Sequence, residues 1–154
     1  MNIIKTIKQY NVDNVFFGDL QRNTVIQDSN FMRLMYSTDY FTLNGIFILV
    51  EFNNVNIEKY FSKYKFCFNV QENSSVIDFL QKTEVGILKK LSLTDKSPSY
   101  QIWTQLFNGN IKMFSNTIPE KGNIKVILKL SGIWDNGKDY GITYKFIPID
   151  NSEI

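Results

Sequence analysis

Residues 124–149 read IKVILKLSGIWDNGKDYGITYKFIPI and give the clearest indication of the fold. Two strand-like stretches, 124–134 and 138–149, flank Asp135-Asn136-Gly137, and a short polar segment with glycine is typical of a β-hairpin loop. A two-residue turn would put Lys145 on the face of the leucines, whereas a three-residue loop with a left-handed glycine separates charge from core. We therefore predict a hairpin with the three-residue loop.

This register gives the hairpin one apolar face and one cationic face, because side chains alternate along a strand. The predicted apolar face holds Val126, Leu128, Leu130, Tyr140, Ile142, Tyr144 and Phe146. The predicted opposite face holds Lys125, Lys129, Ser131, Thr143 and Lys145. Trp134 and Tyr140 flank the loop, where both rings are within reach of a ligand on the hairpin.

The pair Asn108-Gly109 predicts another hairpin upstream, formed by 99–107 and 110–114, since Asn-Gly favours a two-residue turn. Alternation assigns one of its faces to the core and the other to an aromatic, amide and cationic surface. The core face holds Ile102, Leu106, Ile111 and Met113. The other face holds Trp103, Gln105, Phe107, Asn110, Lys112 and Phe114.

Further strands are indicated at 15–25, 31–36, 40–52 and 64–70. Asn44-Gly45 interrupts the third of these, either as a tight hairpin turn or as a bulge in one long strand.

Residues 75–92 are the one segment with a helical pattern. Ser75 followed by Asp78 resembles a capping box at the start. Apolar residues at helical spacing then form a stripe that should face the sheet. The stripe consists of Val76, Phe79, Leu80, Ile87, Leu88 and Leu91.

The composition narrows the class of protein. The chain has 154 residues, 44% hydrophobic and 15% aromatic, which suits a single domain over 1–154. It contains no histidine and no alanine, so the commonest general base and metal ligand is missing and sheet is favoured over helix. A net charge of +2 is too small to indicate which class of partner the protein binds. We therefore expect a β-rich binding domain with no enzymatic activity, no cofactor and no bound metal.

Two further expectations concern the surroundings of the chain. Cys67 is the only cysteine, so no intrachain disulfide can form, which is typical of an intracellular protein. The longest apolar run, 46–50, is far too short for a membrane span, so we expect no membrane contact.

Strands, one helix and then two closing hairpins describe a β-rich α+β chain. A helix inserted between strands is the order of the OB-fold, a partly open antiparallel barrel. A β-sandwich with one helix is the alternative.

Two stretches carry a family resemblance. The segments 127–134 and 140–146 resemble the closing hairpin of small proteins of large DNA viruses, some of which are OB-fold single-stranded-DNA-binding proteins. The segments 31–37 and 41–46 also resemble sequences of these viral proteins. The resemblance implies a DNA-facing sheet carrying Arg33, Tyr36, Lys129, Trp134, Thr143 and Lys145.

The expected function is non-catalytic binding of single-stranded DNA in replication or recombination of a viral or plasmid genome. Aromatic rings stack on bases and cations contact phosphates, and the hairpin faces add Trp103, Phe107, Lys112, Phe114 and Lys125 to the predicted site. The sequence does not distinguish binding of DNA from binding of RNA. A protein-interaction module or a homo-oligomer that uses the same aromatic face is the alternative function. A third alternative is a Mg²⁺-dependent nuclease built on Asp135 and Asp139.

Overall fold

The computed structural model describes residues 3–22, 29–61, 63–113 and 121–149, with the backbone alone at Tyr60. Within these ranges the chain forms β1 (Ile4–Lys5), β2 (Val15–Arg22), β3 (Asn30–Ser37), β4 (Thr42–Asn44), β5 (Ile46–Tyr60), β6 (Lys63–Cys67), α1 (Ser74–Leu91), β7 (Ser97–Ser99), α2 (Gln101–Phe107), β8 (Asn110–Met113), β9 (Gly122–Asp135) and β10 (Asp139–Pro148). The strands belong to one sheet whose main path runs β2-β3-β9-β5-β6-β8.

The sheet is centred on β9, which pairs with β10 along one edge and with β3 and β5 along the other. Its pairings are antiparallel except for β1 with β5 and β7 with β10. The sheet curves until β8 and β10 line a common cleft of about 430 Å³, without pairing to each other among the described residues. The predicted mainly β class, with a partly open antiparallel barrel, is thus confirmed. The β-sandwich is not observed, because the strands form one sheet.

The predicted helix is confirmed as α1, and its apolar stripe faces the sheet. Val76, Leu80, Ile87 and Leu88 are buried, and Phe79 and Leu91 pack against the core. The proposed capping box is wrong, because Ser75 is exposed and the residue before the helix is Asn73, which makes no capping bond. The Asn73 amide instead accepts the N–H of Asn53 at 2.7 Å and so ties the start of α1 to β5.

The upstream hairpin is the main error of the sequence prediction, because Gln101–Phe107 is the helix α2 and not a strand. Ile102 and Leu106 are buried as predicted, but their spacing of four places them on one helical face as readily as on one strand face. Gly109 has φ +77° and donates its N–H to the carbonyl of Leu106. Asn108-Gly109 therefore ends a helix, where a left-handed glycine is equally common.

The buried carboxylate of Glu84 explains why α2 forms. It lies on α1 and accepts the N–H of Ile102 at 2.9 Å and that of Trp103 at 3.0 Å. These are two of the amides that a helix leaves unpaired at its N-terminus. Glu84 is fully buried, so the cap comes from a neighbouring helix that no local sequence pattern could reveal.

The closing hairpin is present, but its loop lies further along the chain than predicted. Asp135 pairs with Tyr140, and the N–H of Asn136 donates to the carbonyl of Asp139 at 3.1 Å, so the three-residue loop 135–137 is wrong. The Asn136 side chain accepts the N–H of Lys138 at 3.0 Å and that of Asp139 at 2.7 Å. Gly137 is left-handed as expected, with φ +93°.

The predicted division of the hairpin into two faces is nevertheless correct. A bulge between Thr143 and Tyr144 restores the alternation that the shifted loop would otherwise reverse. The buried side chains are Val126, Leu128, Leu130, Tyr140, Ile142 and Phe146, and Tyr144 packs partly buried against them.

The remaining strand predictions are confirmed at 31–36, at 15–22 of the first strand, and at 64–67 of the last, which ends three residues earlier than predicted. Residues 23–25 of the first predicted strand lie outside the described residues. Gly45, with φ +82°, marks a break between β4 and β5, which pair with β3 and β9 respectively. The tight hairpin turn is therefore wrong, because β4 and β5 do not pair with each other, and the predicted long strand is divided in two at Gly45. Neither helix in the described part of the chain is long and apolar enough to cross a membrane.

Asp135 is expected to make the fold acid-sensitive. Although its burial raises the pKa of this carboxyl, hydrogen bonds from Lys96 and the Gly137 N–H, together with the Lys96 charge, lower it overall. A lowered pKa stabilises the fold above the unfolded value of about 3.9, and this stabilisation is lost as the pH falls through the folded value. Asp135→Asn should lower the free energy of unfolding by about 2 kcal/mol at neutral pH. This is less than the loss expected on breaking a fully buried ion pair, because Lys96 is partly exposed.

Urea unfolding of wild type and Asp135→Asn between about pH 5 and about pH 2 tests this, since the gap between them should shrink across that range. Asp139→Asn, across the same loop, is the matched control, because among the described residues its carboxylate forms no ion pair, and it should have little effect on stability at neutral pH. A gap of constant size would contradict the assignment.

Candidate nucleic-acid interface

The side of β9 that faces away from the core carries cations. Val126, Leu128 and Leu130 point inward and are fully buried. Alternation therefore directs Lys125, Ile127 and Lys129 to the opposite side, where Lys125 is exposed and the other two are half-buried.

Cross-strand pairing extends this surface over three strands in rows. In one row Lys145 of β10 lies opposite Lys129, which lies opposite Phe47 of β5. The Lys129 ammonium is 5.7 Å from the centre of the Phe47 ring. The next row is aliphatic, formed by Ile147, Ile127 and Leu49. The third row ends with Lys125 opposite Glu51.

Two aromatic rings continue the surface toward the loop. Phe31 of β3 pairs with Trp134, which pairs with Gly141. A Cβ on Gly141 would lie 2.8 Å from Cζ2 of Trp134, so the indole packs directly on that glycine. A Cβ on Gly132 would lie 2.3 Å from Cζ of Phe31, so that ring covers the second glycine. Both rings are half-buried and held in place by backbone beneath them.

Arg33 and Thr143 complete the surface, since each pairs with Gly132 from opposite sides and is exposed. We call the whole surface the basic face. It consists of Phe31, Arg33, Leu49, Lys125, Ile127, Lys129, Trp134, Thr143, Lys145 and Ile147, together with Phe47, which is buried. Strand alternation also places two acids of the described strands on this side of the sheet, Glu51 at one end of the basic face and Asp139 at the other.

Two cations of the basic face, Lys129 and Lys145, face each other and not an acid. Lys129 and Lys145 are direct cross-strand partners, and like charges in that position destabilise a sheet. Among the described residues, the ion pair is between Lys96 and Asp135 and involves no cation of the basic face. The fold therefore tolerates a repulsive pair that a bound anion would relieve.

The structure brings together part of the site predicted from sequence. The residues it gathers on the basic face are Arg33, Lys125, Lys129, Trp134, Thr143 and Lys145.

The prediction that Tyr36 belongs to the DNA-facing surface is wrong, because its side chain is buried on the other side of the sheet. Its hydroxyl accepts the N–H of Asn11 at 3.0 Å, and the Lys5 ammonium lies 4.3 Å from its ring centre. Alternation along β3 places Tyr36 with Leu34 in the core, so it cannot share a face with Arg33. It has a structural role.

Trp103 and Phe107 form a separate aromatic surface on α2. Their rings stack with centres 5.1 Å apart, and Phe107 is 60% exposed. Gln105 faces β10, where the Tyr144 hydroxyl donates to its Oε1 at 2.5 Å. At 3.6 residues per turn, Trp103 and Phe107 project about 160° away from Gln105. The predicted common face with Gln105 and Lys112 is therefore wrong.

The last two predicted residues do not join the basic face. Lys112 is exposed on β8, opposite Lys65 of β6, and it lines the cleft between β8 and β10 together with Lys145, beside the basic face but in none of its cross-strand rows. Phe114 lies outside the described residues.

Sequence reasoning missed the apolar members of the face. Ile127 alternates with lysines and could have been found from that pattern. Phe47 and Leu49 lie in the continuous apolar run 46–50, which gives no sign of which side chains point outward. The position of Phe31 depends on the pairing of β3 with β9, which sequence does not specify.

Of the two carboxylates proposed for a metal, Asp135 makes other contacts. Asp135 is buried against Lys96 and accepts the Gly137 N–H at 2.8 Å. Within the described ranges, no group of three acidic or cysteine side chains is placed to hold a metal ion.

Comparison with protein-family models, with curated proteins and with solved structures finds no match for this chain, so the basic face rests on its own geometry.

Proposed function

We propose that this chain binds single-stranded DNA on the basic face without catalysing a reaction. The observation that carries the proposal is the Lys129–Lys145 pair, two adjacent cations without an acidic partner in the described residues. Phosphates spaced along a strand would neutralise such a pair, as in proteins that follow the backbone of a single strand.

The aromatic rings beside the cations support a single strand over a duplex. Trp134 and Phe31 are anchored on glycines, and Arg33 lies next to them. Unpaired bases stack on such rings, with about 1–3 kcal/mol for each base. A duplex offers phosphates but keeps its bases stacked on one another. Cations and rings together favour the single strand, and a role in replication or recombination of a viral or plasmid genome follows as part of this proposal.

Fluorescence anisotropy with labelled oligo-dT at two salt concentrations tests the proposal. Four cations, Arg33, Lys125, Lys129 and Lys145, are placed to contact phosphates. Between about 50 mM and about 200 mM salt we expect the affinity to fall about 50-fold, from a slope of about −0.7 for each neutralised phosphate of a single strand. Oligo-U in the same assay separates DNA from RNA. Absence of binding at low salt would exclude the function.

A second candidate is a protein-interaction surface on the same face. Ile4 pairs with Phe47 at the edge of this face, Ile7 lines a groove together with Leu49, and the two isoleucines are 43% and 36% exposed. Exposed apolar patches commonly mark contacts between proteins. Light scattering coupled to size-exclusion chromatography distinguishes the two functions. A homo-oligomer that buries this face should dissociate to the monomer mass in Ile4→Lys, and it should not bind oligo-dT.

A further inference from the structure

A groove of about 400 Å³ opens at the edge of the basic face. Thr6, Ile7 and Lys8 form one wall as the chain leaves β1, and Leu49 and Glu51 of β5 with Lys125 of β9 form the other. The lining is mainly apolar, with one carboxylate and two ammonium groups. Such a mixture is typical of a site that holds a flat, partly polar ligand.

The carboxylate in the groove is available to a ligand. Glu51 is exposed and lies directly opposite Lys125 in the β5–β9 register. In the described part of the chain these two side chains do not form an ion pair. Both oxygens of Glu51 can therefore accept hydrogen bonds from a group in the groove, while the lysines remain as donors.

We infer that this groove takes one guanine base of a strand bound to the basic face, an inference that rests on the proposed function. The unpaired edge of guanine carries two adjacent donors, N1–H and the N2 amino group, which match the two oxygens of a carboxylate. Its O6 accepts from an ammonium such as that of Lys8 or Lys125. Single-stranded nucleic acids are commonly read on this edge.

The other bases fit the groove less well. Thymine has one N–H between two carbonyl oxygens, and a carboxylate repels those oxygens. Cytosine and adenine each offer one amino group beside a ring nitrogen that only accepts. Guanine alone provides paired donors for Glu51 together with an acceptor for a lysine.

The test compares oligo-dT with the same oligonucleotide carrying one central dG, or one central dI, which lacks only the N2 amino group. We expect the oligonucleotide with dG to bind about fivefold more tightly than oligo-dT. A hydrogen bond to a buried charge would give a larger gain in affinity, but Glu51 is exposed. The dI oligonucleotide should lose most of this gain. Glu51→Gln should remove it, whereas Glu58→Gln, an exposed acid on the distal part of β5, should keep it.

The ratio of affinities is the readout, because Glu51→Gln also raises the net charge and strengthens binding of every strand. If oligo-dT binds and dG gives no gain, or the gain persists in Glu51→Gln, the guanine site is wrong and the proposed function stands. If none of the oligonucleotides binds, both are wrong.

Discussion

Replacing Lys129 and Lys145 together by glutamate is expected to weaken binding of oligo-dT about 100-fold at low salt. The two side chains lie directly opposite each other on β9 and β10, so a phosphate between them contacts both. Each reversal removes one attraction and adds one repulsion. The salt dependence should fall as well, because fewer counterions are released when fewer phosphates are neutralised.

The matched control is Lys82→Glu with Lys89→Glu. Both lysines are exposed on α1, which packs on the core side of the sheet, away from the basic face. This double variant lowers the formal charge of +2 by the same four charges. It should lose only the long-range attraction, a few-fold in affinity.

Thermal unfolding must show that both double variants fold. The first should be about as stable as wild type, because one pair of like charges replaces another at the same cross-strand positions. Equal losses of affinity in the two double variants would mean that net charge, and not the basic face, governs binding.

Replacing Glu84 by alanine is expected to give the largest loss of stability, about 3 kcal/mol at neutral pH. The substitution leaves the N–H groups of Ile102 and Trp103 without their acceptor at the buried start of α2. It also leaves a cavity at a fully buried position. Unfolding in urea measures the effect, with Asp78→Ala as the control, because Asp78 is an exposed acid of the same helix.

The pH dependence of Glu84 has the opposite sign to that of Asp135. Burial raises the pKa of the Glu84 carboxyl, although the amides of Trp103 and Ile102 lower it in part. A raised pKa means that its contribution to stability is greatest below the unfolded value of about 4.3 and decreases as the pH rises through the folded value. The deficit of Glu84→Ala should therefore be larger at acidic pH. A deficit that grows toward alkaline pH would contradict this.

Glu84 also separates stability from binding. α2 contributes nothing to the basic face, so Glu84→Ala should bind oligo-dT as wild type does at temperatures where it is folded. Weak binding by the folded variant would indicate that α2, with Trp103 and Phe107, belongs to the interface.

The strand pattern of the chain was predictable wherever polar and apolar residues alternate. In β9 the lysines at 125 and 129 alternate with buried residues, and this pattern alone separates core from surface. The same alternation placed Lys145 and Thr143 correctly, although the loop was displaced. A face depends only on whether the register shift is odd or even, and the bulge at Thr143/Tyr144 restored it.

The error at 99–107 has a different cause. Buried residues at positions 102 and 106 fit a helix and a strand equally, so the Asn-Gly pair decided the prediction. The cap that stabilises the helix comes from Glu84, distant in sequence, and tertiary contacts of this kind override local signals. Tyr36 was misplaced because a resemblance indicated its strand but not its face.

Tryptophan fluorescence of single-tryptophan variants tests most directly whether single-stranded DNA lies on the basic face. The chain has two tryptophans, so Trp103→Phe leaves Trp134 on the basic face and Trp134→Phe leaves Trp103 on α2. The basic face predicts that oligo-dT quenches the emission of Trp134 and leaves that of Trp103 unchanged. Quenching confined to Trp103, or binding by anisotropy without quenching of Trp134, would contradict it.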